Sequence, residues 1–507
     1  MKSLAHQNVM ILGLGISGLA MARWCARYGA SVAVVDSRTN PPQFNQLKTE
    51  LPDARFICSQ FQSTLLENFG IDFLLISPGI KPGDISEFLE KAKAKAIRIG
   101  NELTLFNMAL IDLDESEAYK PHVLAITGTN GKTTVTSLTG KLVTSANMTV
   151  AVAGNIGPSL LDTLSEKIKS AELPQAWVLE LSSFQLNDVT DFEPTAGVVL
   201  NVTQDHLDWH ATMDSYSDAK SHVYGSKAIM IVNRDDEVVM DMLVNAKKLN
   251  KNRKYCTFGR DLPSSLGDYG LESVNGVTWL VRAISFDDIV IKKQRSLIEP
   301  KIELSMQRLI PTDALQLRGQ HNMLNALAAL SLVESIGCSI SRVLFALREY
   351  KGESHRVESI GILNGVEYFD DSKGTNVGAT LAAISGLGIE RKLVVILGGD
   401  GKGQDFSPLI EVVSKFVRAV VFMGKDKNII HDALKTVDIP KATVNSMAEA
   451  VVAAEKFSQI GDAVLLSPAC SSLDMFENYE HRGLEFRAEV LGSSDQHEQD
   501  LKHGVAL

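Results

Sequence analysis

VLAITGTNGKTT, residues 123–134, is the stretch on which the fold turns. An apolar run of strand length leads at once into a glycine-containing turn, and then into a lysine followed by two threonines. A buried parallel strand delivers the chain to such a turn and a helix carries it away. Backbone N–H groups in the turn cradle phosphate oxygens, Lys132 reaches the transferred phosphoryl group, and Thr133 is placed to hold a magnesium ion. The usual GxxxxGK[ST] spacing has a glycine where Ile126 stands. A lysine and hydroxyl pair at a strand-to-helix turn still points to ATP, held by Gly128, Thr129, Asn130, Gly131, Lys132, Thr133 and Thr134.

The alternation continues downstream through WVLELSS and GVVLNVT, which predicts a mostly parallel sheet. Residues 260–311 interrupt it with polar, glycine-containing segments and short alternating runs such as VTWLVRAI, the pattern of antiparallel strands or of an insertion. Helices are expected at about 322–336 and 340–350, and Gly352 precedes a third alternating region with strands in KLVVILGGD, AVVFMG and AVLLSP. The polar tail from Ser493 is expected to fray.

Upstream, residues 8–36 read as strand, helix, strand, with Gly13-Leu14-Gly15-Ile16-Ser17-Gly18 in the first turn and Asp36 ending the second strand. That is a dinucleotide-type βαβ unit, whose glycines let a diphosphate approach a helix N-terminus. Helix and strand packing alone is the competing explanation of the glycines. DFLLISPGI at 72–80 continues the alternation, and the acidic LDESEAYKP at 113–121 reads as a linker. The partition expected is α/β throughout, in three domains: a Rossmann-like domain over 1–116, a central parallel sheet of the phosphate-loop ATPase type over 117–352 with 260–311 unassigned, and a second Rossmann-like domain over 353–507.

A length of 507 residues suits three domains, and 45% hydrophobic with 22% charged residues is a globular composition. Five cysteines without a CxxC pair or metal-ligand spacing fit a reducing compartment, the cytoplasm. The apolar run from Val9 to Ala22 carries three glycines in a nucleotide-binding pattern, so it reads as a strand and turn rather than a leader. No stretch approaches the roughly 20 apolar residues of a membrane-spanning helix. A formal charge of −11 argues against nucleic acid. The basic run KAKAKAIR at 91–98 is expected as a solvated helical face, and Cys470 has no evident base beside it.

Two phosphate-binding sequences in separate regions imply that one chain joins a nucleotide-linked substrate to ATP. TGTNGKTT, GNIG at 154–157, ELSSFQL at 180–186 and NVTQDHLDWH at 201–210 resemble the central domain of the Mur ligases. DSKGTN at 371–376, LGGDGKG at 397–403 and SPACSSLDMFENYEHRG at 468–483 resemble the member of that family that adds D-glutamate. Folylpolyglutamate synthases are similar in part, but not in the N-terminal fold.

The resemblance implies that a carboxylate of UDP-N-acetylmuramoyl-L-alanine attacks the γ-phosphate of ATP, and that the amine of D-glutamate then displaces phosphate. Such a site must neutralise two anions while aligning them. Lys132, His206 and Lys220 are the implied catalytic residues. Two magnesium ions are implied, with Thr133, Glu180, His206 and Lys220 as ligands, Lys220 as the carbamate formed with carbon dioxide. From the sequence alone Lys220 would be a solvated helical lysine. Asn322 and Asn325, three apart on one helical face, are implied near adenine, with helix capping the alternative for Asn322. Arg356 and Asp371 are implied to reach ATP, the third domain closing as a lid.

On the UDP side the resemblance implies Gly15, Ser17, Asp36, Ser37, Arg38, Ser77 and Gly79, with Asn155 and Gln185 nearer the sugar and peptide. For D-glutamate it implies His206, Lys373, Thr375, Lys402, Ser472, Leu473 and Tyr479, since lysines and hydroxyls answer carboxylates. A monomer is expected, with neither nucleic acid nor membrane as partner. A dehydrogenase would leave TGTNGKTT and DSKGTN without a role, and a nucleotide sensor would bind ATP without releasing phosphate.

Overall fold

Each of three stretches of the chain builds its own sheet, because strands of continuous apolar character must be covered on both faces. The computed structural model describes residues 4–285, 304–317, 319–389 and 391–503. The first sheet comprises β1 (Asn8–Leu12), β2 (Ser31–Asp36), β3 (Arg55–Cys58), β4 (Phe73–Ile76) and β5 (Arg98–Gly100) in the order 3-2-1-4-5. All its pairings are parallel. β1 lies between β2 and β4, so the direction of winding reverses beside it, and the carboxyl ends of β1 and β4 flank the crevice where open α/β sheets bind ligands.

The second sheet holds nine strands: β6 (His122–Thr127), β7 (Val150–Gly154), β8 (Ala176–Glu180), β9 (Ala196–Val199), β10 (Ile229–Asn233), β11 (Tyr255–Phe258), β12 (Tyr269–Val274), β13 (Val277–Ser285) and β14 (Leu304–Pro311). Their order is 14-13-12-11-10-9-6-8-7. The pairings from β7 through β12 are parallel, whereas β12, β13 and β14 pair antiparallel. Thus the described part of 260–311 extends the edge of this sheet, and the alternating VTWLVRAI is the strand β13; residues 286–303 lie outside the described residues. The third sheet, with β15 (Glu358–Leu363), β16 (Val366–Asp370), β17 (Leu393–Gly398), β18 (Val417–Met423), β19 (Lys441–Thr443) and β20 (Ala463–Leu466), runs 15-16-20-17-18-19, parallel except for β15.

By contact density the chain forms two compact units, one of residues 1–312 with 325–347, the other of 313–324 with 348–507. The first and second sheets share the first unit, where a continuous core runs from Val9 and Trp24 through Phe106 to Trp177 and Val232. The third sheet is covered on both faces by separate clusters around Val395 and Val394.

Three local expectations are corrected. Most of 113–121 is not a linker: the helix Glu102–Glu117 runs through it and ends at Ala118, whose φ is +54°. The apolar stripe continues through Leu110 and Leu113 onto the core while the acidic residues take the outer face, so burial of one turn outweighs the polar composition. The basic run at 91–98 is helical only to Ala94, and Arg98 already belongs to β5. The polar tail continues the helix Tyr479–His503.

Candidate active site

Strands β6, β8 and β7 lie side by side in register, so Ile126, Glu180 and Gly154 form one row at their carboxyl ends. The turn after β6 must bend sharply. Gly128 has φ +154°, and a Cβ there would lie 2.9 Å from the Leu200 Cβ; Gly131 has φ +84°, and a Cβ there would lie 2.6 Å from Asn325 Oδ1. Only glycine fits both constraints. The second contact also puts the Asn325 carboxamide against this turn. Asn322 lies one turn earlier on the same helix, Gln320–Ser335, inside it rather than at its cap, and both asparagines are buried.

Asn201, after β9, clamps the turn through both ends of its amide. Asn130 N–H donates to Asn201 Oδ1 at 2.8 Å, and Asn201 Nδ2 donates to Asn130 O at 3.1 Å. Thr129 Oγ1 lies 3.1 Å from the hydroxyl of the buried Tyr216, and Thr134 is buried in the helix that begins at Lys132.

Two lysine side-chain nitrogens meet on one carbonyl oxygen. Lys132 Nζ donates to Gly128 O at 2.9 Å and to Thr129 O at 3.0 Å, and Lys220 Nζ donates to the same Gly128 O at 3.0 Å. Lys220 is 1% exposed, and its Nζ lies 4.4 Å from the centre of the Tyr216 ring. Burial pushes its pKa well below the usual lysine range, Lys132 lowers it further, and Asp205 opposes both. A solvated helical lysine is therefore excluded.

Glu180, also 1% exposed, accepts from Asn155 Nδ2 at 2.9 Å through Oε1; its buried Oε2 has no hydrogen-bond partner among the described residues. A buried carboxylate oxygen without a donor suits a cation. Oxygen ligands match magnesium, so the residues present fit the metal. His206, with φ +54°, stands at the entry to helix Leu207–His210, its ring 4.8 Å from that of Phe184 and 6.3 Å from that of Tyr216. Partial burial lowers its pKa, Asp205 opposes, and Lys132 and Lys220 lower it again.

The UDP-side residues divide. Gly13, with φ +87°, abuts Ser77, and a Cβ at Gly18 would lie 2.0 Å from Gly13 O, so packing alone accounts for that last glycine of GLGISG. Gly15 caps the helix Ile16–Arg27, and Ser77 is buried beside the turn. Asp36 is already engaged, accepting from Leu14 N–H at 2.8 Å and from Arg38 N–H and guanidinium. Burial pushes its carboxyl up, but the Arg38 and Leu14 hydrogen bonds outweigh this and hold it below the usual carboxylate range. Ser37 is exposed beside it, and no side chain lies within 4 Å of a Cβ built at Gly79. Gln185 Oε1 accepts from Ser182 N–H and Oγ in a helix cap, a structural use that the sequence reading missed. The cavity of about 440 Å³ beside Asn8, Ser31 and Arg55 lies at the opposite, amino edge of the first sheet.

Three family descriptions match this chain in succession: the Mur ligase MurD-like N-terminal domain over residues 7–100, the Mur ligase middle domain over 126–333, and the Mur ligase glutamate ligase domain over 355–470. The chain belongs to the Mur ligases. It is 53% identical to the UDP-N-acetylmuramoylalanine--D-glutamate ligase of Albidiferax ferrireducens over 97% of both chains, and 47% identical to the protein of that name from Burkholderia ambifaria over 95% of this chain and 96% of the relative. The MurF ligase of Thermotoga maritima in complex with ADP has the same fold, at a TM-score of 0.56 and 17% identity over 97% of both chains. The UDP-N-acetylmuramate-alanine ligase MurC of that organism superposes at a TM-score of 0.52 with 18% identity, over 96% of this chain and all of its own. Mur ligases couple ATP to ligation in peptidoglycan synthesis.

In the second compact unit of this Mur ligase, the loops after β16, β17 and β20 converge. Backbone bonds between Asp400 and Ser471, at 3.0 and 2.9 Å, tie the loop of Lys402 to that of Ser472 and Leu473. The buried Arg482 donates to Ser372 O at 2.8 Å and Cys470 O at 3.1 Å, joining the loop of Asp371, Lys373 and Thr375 to the same place. Burial pushes the Arg482 pKa down to about 10, against Cys470 and three nearby aspartates. No sequence signal beyond its place in ENYEHRG marked this arginine. Lys373 Nζ lies 3.6 Å from the centre of the Tyr479 ring, so two of the implied D-glutamate residues meet. Ser472 is buried, while Lys402 and Leu473 are exposed. Cys470 is buried, which pushes its thiol up to about 12 and disfavours the thiolate. His355, Glu358 and Asp370 cluster, but Glu358 already accepts from His355 N–H and Arg487, and Asp370 lies 2.7 Å from His355 Nδ1, so the trio is spent on itself.

Asp371 accepts from Ser467 Oγ at 2.6 Å. Burial pushes its carboxyl up to about 7, against the Ser467 bond and the nearby Arg356 charge, with Asp370 adding to the rise. The folded chain thus keeps a proton that the unfolded chain, with an aspartate pKa of about 3.9, has released. Stability from this group is complete below about pH 4 and declines as pH rises toward 7. Asp371→Asn is therefore expected to raise the melting temperature relative to wild type at pH 8, with a smaller difference at pH 5. A difference independent of pH would show that the carboxyl is not protonated in the folded chain.

Proposed function

We propose that this Mur ligase joins D-glutamate to UDP-N-acetylmuramoyl-L-alanine at the expense of ATP, through an acyl phosphate. The observation that carries the reading is its 53% identity, over 97% of both chains, to a protein named UDP-N-acetylmuramoylalanine--D-glutamate ligase. The phosphate turn with its two converging lysines agrees with it. The substrate carboxylate attacks the γ-phosphorus, ADP leaves, and the neutral amine of D-glutamate then attacks the acyl carbon; phosphate departs and a proton is released. Lys132 neutralises the transferred phosphoryl group from within the turn, and Asn322 and Asn325 serve the adenine side of ATP. Lys373, Thr375, Lys402, Ser472, Leu473, Tyr479 and His206 receive D-glutamate; Arg356 and Asp371 contact ATP. Gly15, Ser17, Asp36, Ser37, Arg38, Ser77, Gly79, Asn155 and Gln185 serve the UDP substrate. Domain limits of 1–116, 117–352 and 353–507, a monomer, and a cytoplasmic location complete the proposal. Among the described residues no helix is long and apolar enough to cross a membrane.

Glu180, His206, Thr133 and a carbamylated Lys220 would hold magnesium, which when bound supplies charge neutralisation for the phosphates. The depressed Lys220 pKa keeps a fraction of the amine neutral. That neutral amine adds to the carbon of carbon dioxide, an N–C bond forming as one C–O π bond opens and one proton is released, so that an anionic carbamate stands beside Gly128. Stripping carbon dioxide from the buffer is expected to lower the rate severalfold and bicarbonate to restore it; ¹³C-bicarbonate should give a carbamate NMR signal absent from Lys220→Arg. Retention of full activity with an unmodified Lys220 by mass would exclude the carbamate.

The test of the whole reading is phosphate release with ATP, magnesium and UDP-N-acetylmuramoyl-L-alanine, adding D-glutamate, L-glutamate, L-lysine or diaminopimelate in turn. Release with D-glutamate alone is expected. Release with another amine would move the chain to another substrate, and silence with all four would overturn the ligase assignment.

A further inference from the structure

Glu102 is a carboxylate at 2% exposure, yet no step above uses it. It opens the helix Glu102–Glu117, behind the Asn101 cap. Its Oε1 accepts from Leu161 N–H at 3.2 Å, in the first turn of helix Leu160–Ser170, and the Ser17 and Ser159 hydroxyls lie near enough to the same carboxyl to lower its pKa. Ser17 belongs to the first turn of helix Ile16–Arg27, and Ser159 caps the helix Leu160–Ser170. One buried side chain thus gathers the N-termini of three helices. Each such terminus has backbone N–H groups without intrahelical partners, so an acceptor there is favourable. Burial pushes the Glu102 carboxyl up, Ser17, the Leu161 N–H and Ser159 hold it down, and Asp162 raises it again.

The connections are what make this more than a core contact. Ser17 stands in GLGISG, the turn assigned to the UDP substrate. Ser159 and Leu161 directly follow the loop of Asn155, whose side chain holds Glu180 at the phosphate end of the second sheet. Asn101, next to Glu102, donates to Gln185 O at 2.9 Å, so the same corner also touches the segment after Glu180. A second tie, Arg23 to Asp162 at 3.0 Å, joins the same two helices farther from the turn and is independent of Glu102.

We propose that Glu102 is a positioning residue that sets the UDP-substrate turn in register with the Asn155 loop, so that the substrate carboxylate reaches the phosphate end of the second sheet. The inference rests on the functional reading above. A misplacement of about 1 Å far from the chemistry can cost 10²-fold, so a small change at this corner is measurable.

Two variants separate positioning from folding. Glu102→Gln keeps the length and the acceptor for Leu161 N–H; Glu102→Asp keeps the charge but withdraws the carboxyl by one methylene. In the phosphate-release assay, with melting temperatures alongside, Glu102→Asp is expected to raise KM for UDP-N-acetylmuramoyl-L-alanine about tenfold with KM for ATP within twofold, and Glu102→Gln to stay within about threefold of wild type. An unchanged KM for the UDP substrate in Glu102→Asp overturns the inference, as does an equal rise in both KM values or a failure of Glu102→Gln to retain function. Silence of the wild-type enzyme in the same assay is a different result, which overturns the functional reading and this inference with it.

Discussion

Lys132→Ala is expected to lower kcat for phosphate release on the order of 10³-fold while the protein stays folded. The reasoning starts from charge. In the proposed reaction a carboxylate and a phosphate must approach, and Lys132 is a cation of the turn after β6, its Nζ fixed by Gly128 O and Thr129 O at 2.9 and 3.0 Å. Alanine keeps the helix and removes the cation. The two carbonyls lose a donor, but Lys220 still donates to Gly128 O, so the melting temperature should move little. A second effect follows from the same geometry. Lys132 helps to depress the Lys220 pKa, so its removal favours the Lys220 ammonium and lowers the share of amine able to take up carbon dioxide. Phosphate release by stopped assay and unfolding by circular dichroism check both parts. A loss smaller than tenfold would mean that the phosphoryl group is neutralised elsewhere.

Glu180→Gln should separate activity from stability in opposite directions. The carboxylate is buried with one oxygen on Asn155 and the other without a donor among the described residues. An uncompensated buried charge costs several kcal/mol. A neutral amide of the same shape removes that cost in the absence of metal, so the variant without magnesium is expected to melt a few degrees above wild type. Activity should fall by at least about 10²-fold, and the rise in melting temperature that magnesium produces in wild type, through preferential binding to the folded state, should disappear. Equal magnesium stabilisation of both proteins would remove Glu180 from the metal site.

The two glycine turns between strand and helix were legible because each is a local code: an apolar run, glycines at fixed offsets, and a polar residue at the head of a helix. The β-rich character of 277–285 was legible for the same reason, since alternation along a strand is a property of neighbouring residues. Helix Glu102–Glu117 was misjudged at its end because the composition of 113–121 is acidic, while the decision lay in Leu113 finding the core. Gln185 is an instance of a residue type fitting two uses, binding and capping, between which a sequence does not choose.

Taken by itself the sequence determined the opening strands of the first and second sheets, the glycine turns that follow them, and, through its resemblance to a family, what chemistry to look for. Those are short-range properties, or properties of a pattern seen elsewhere. Only the tertiary structure decided that Lys220 is buried on the carbonyl that also receives Lys132, that Glu180 keeps an oxygen without a donor among the described residues, that Arg482 crosslinks loops and that Glu102 ties two helix N-termini. The protonation of Lys220 and the role of Glu102 depend on burial and on partners that are 59 to 92 positions away along the chain. Desolvation and pairing are set by what packing brings together, and no local run of residues carries that information.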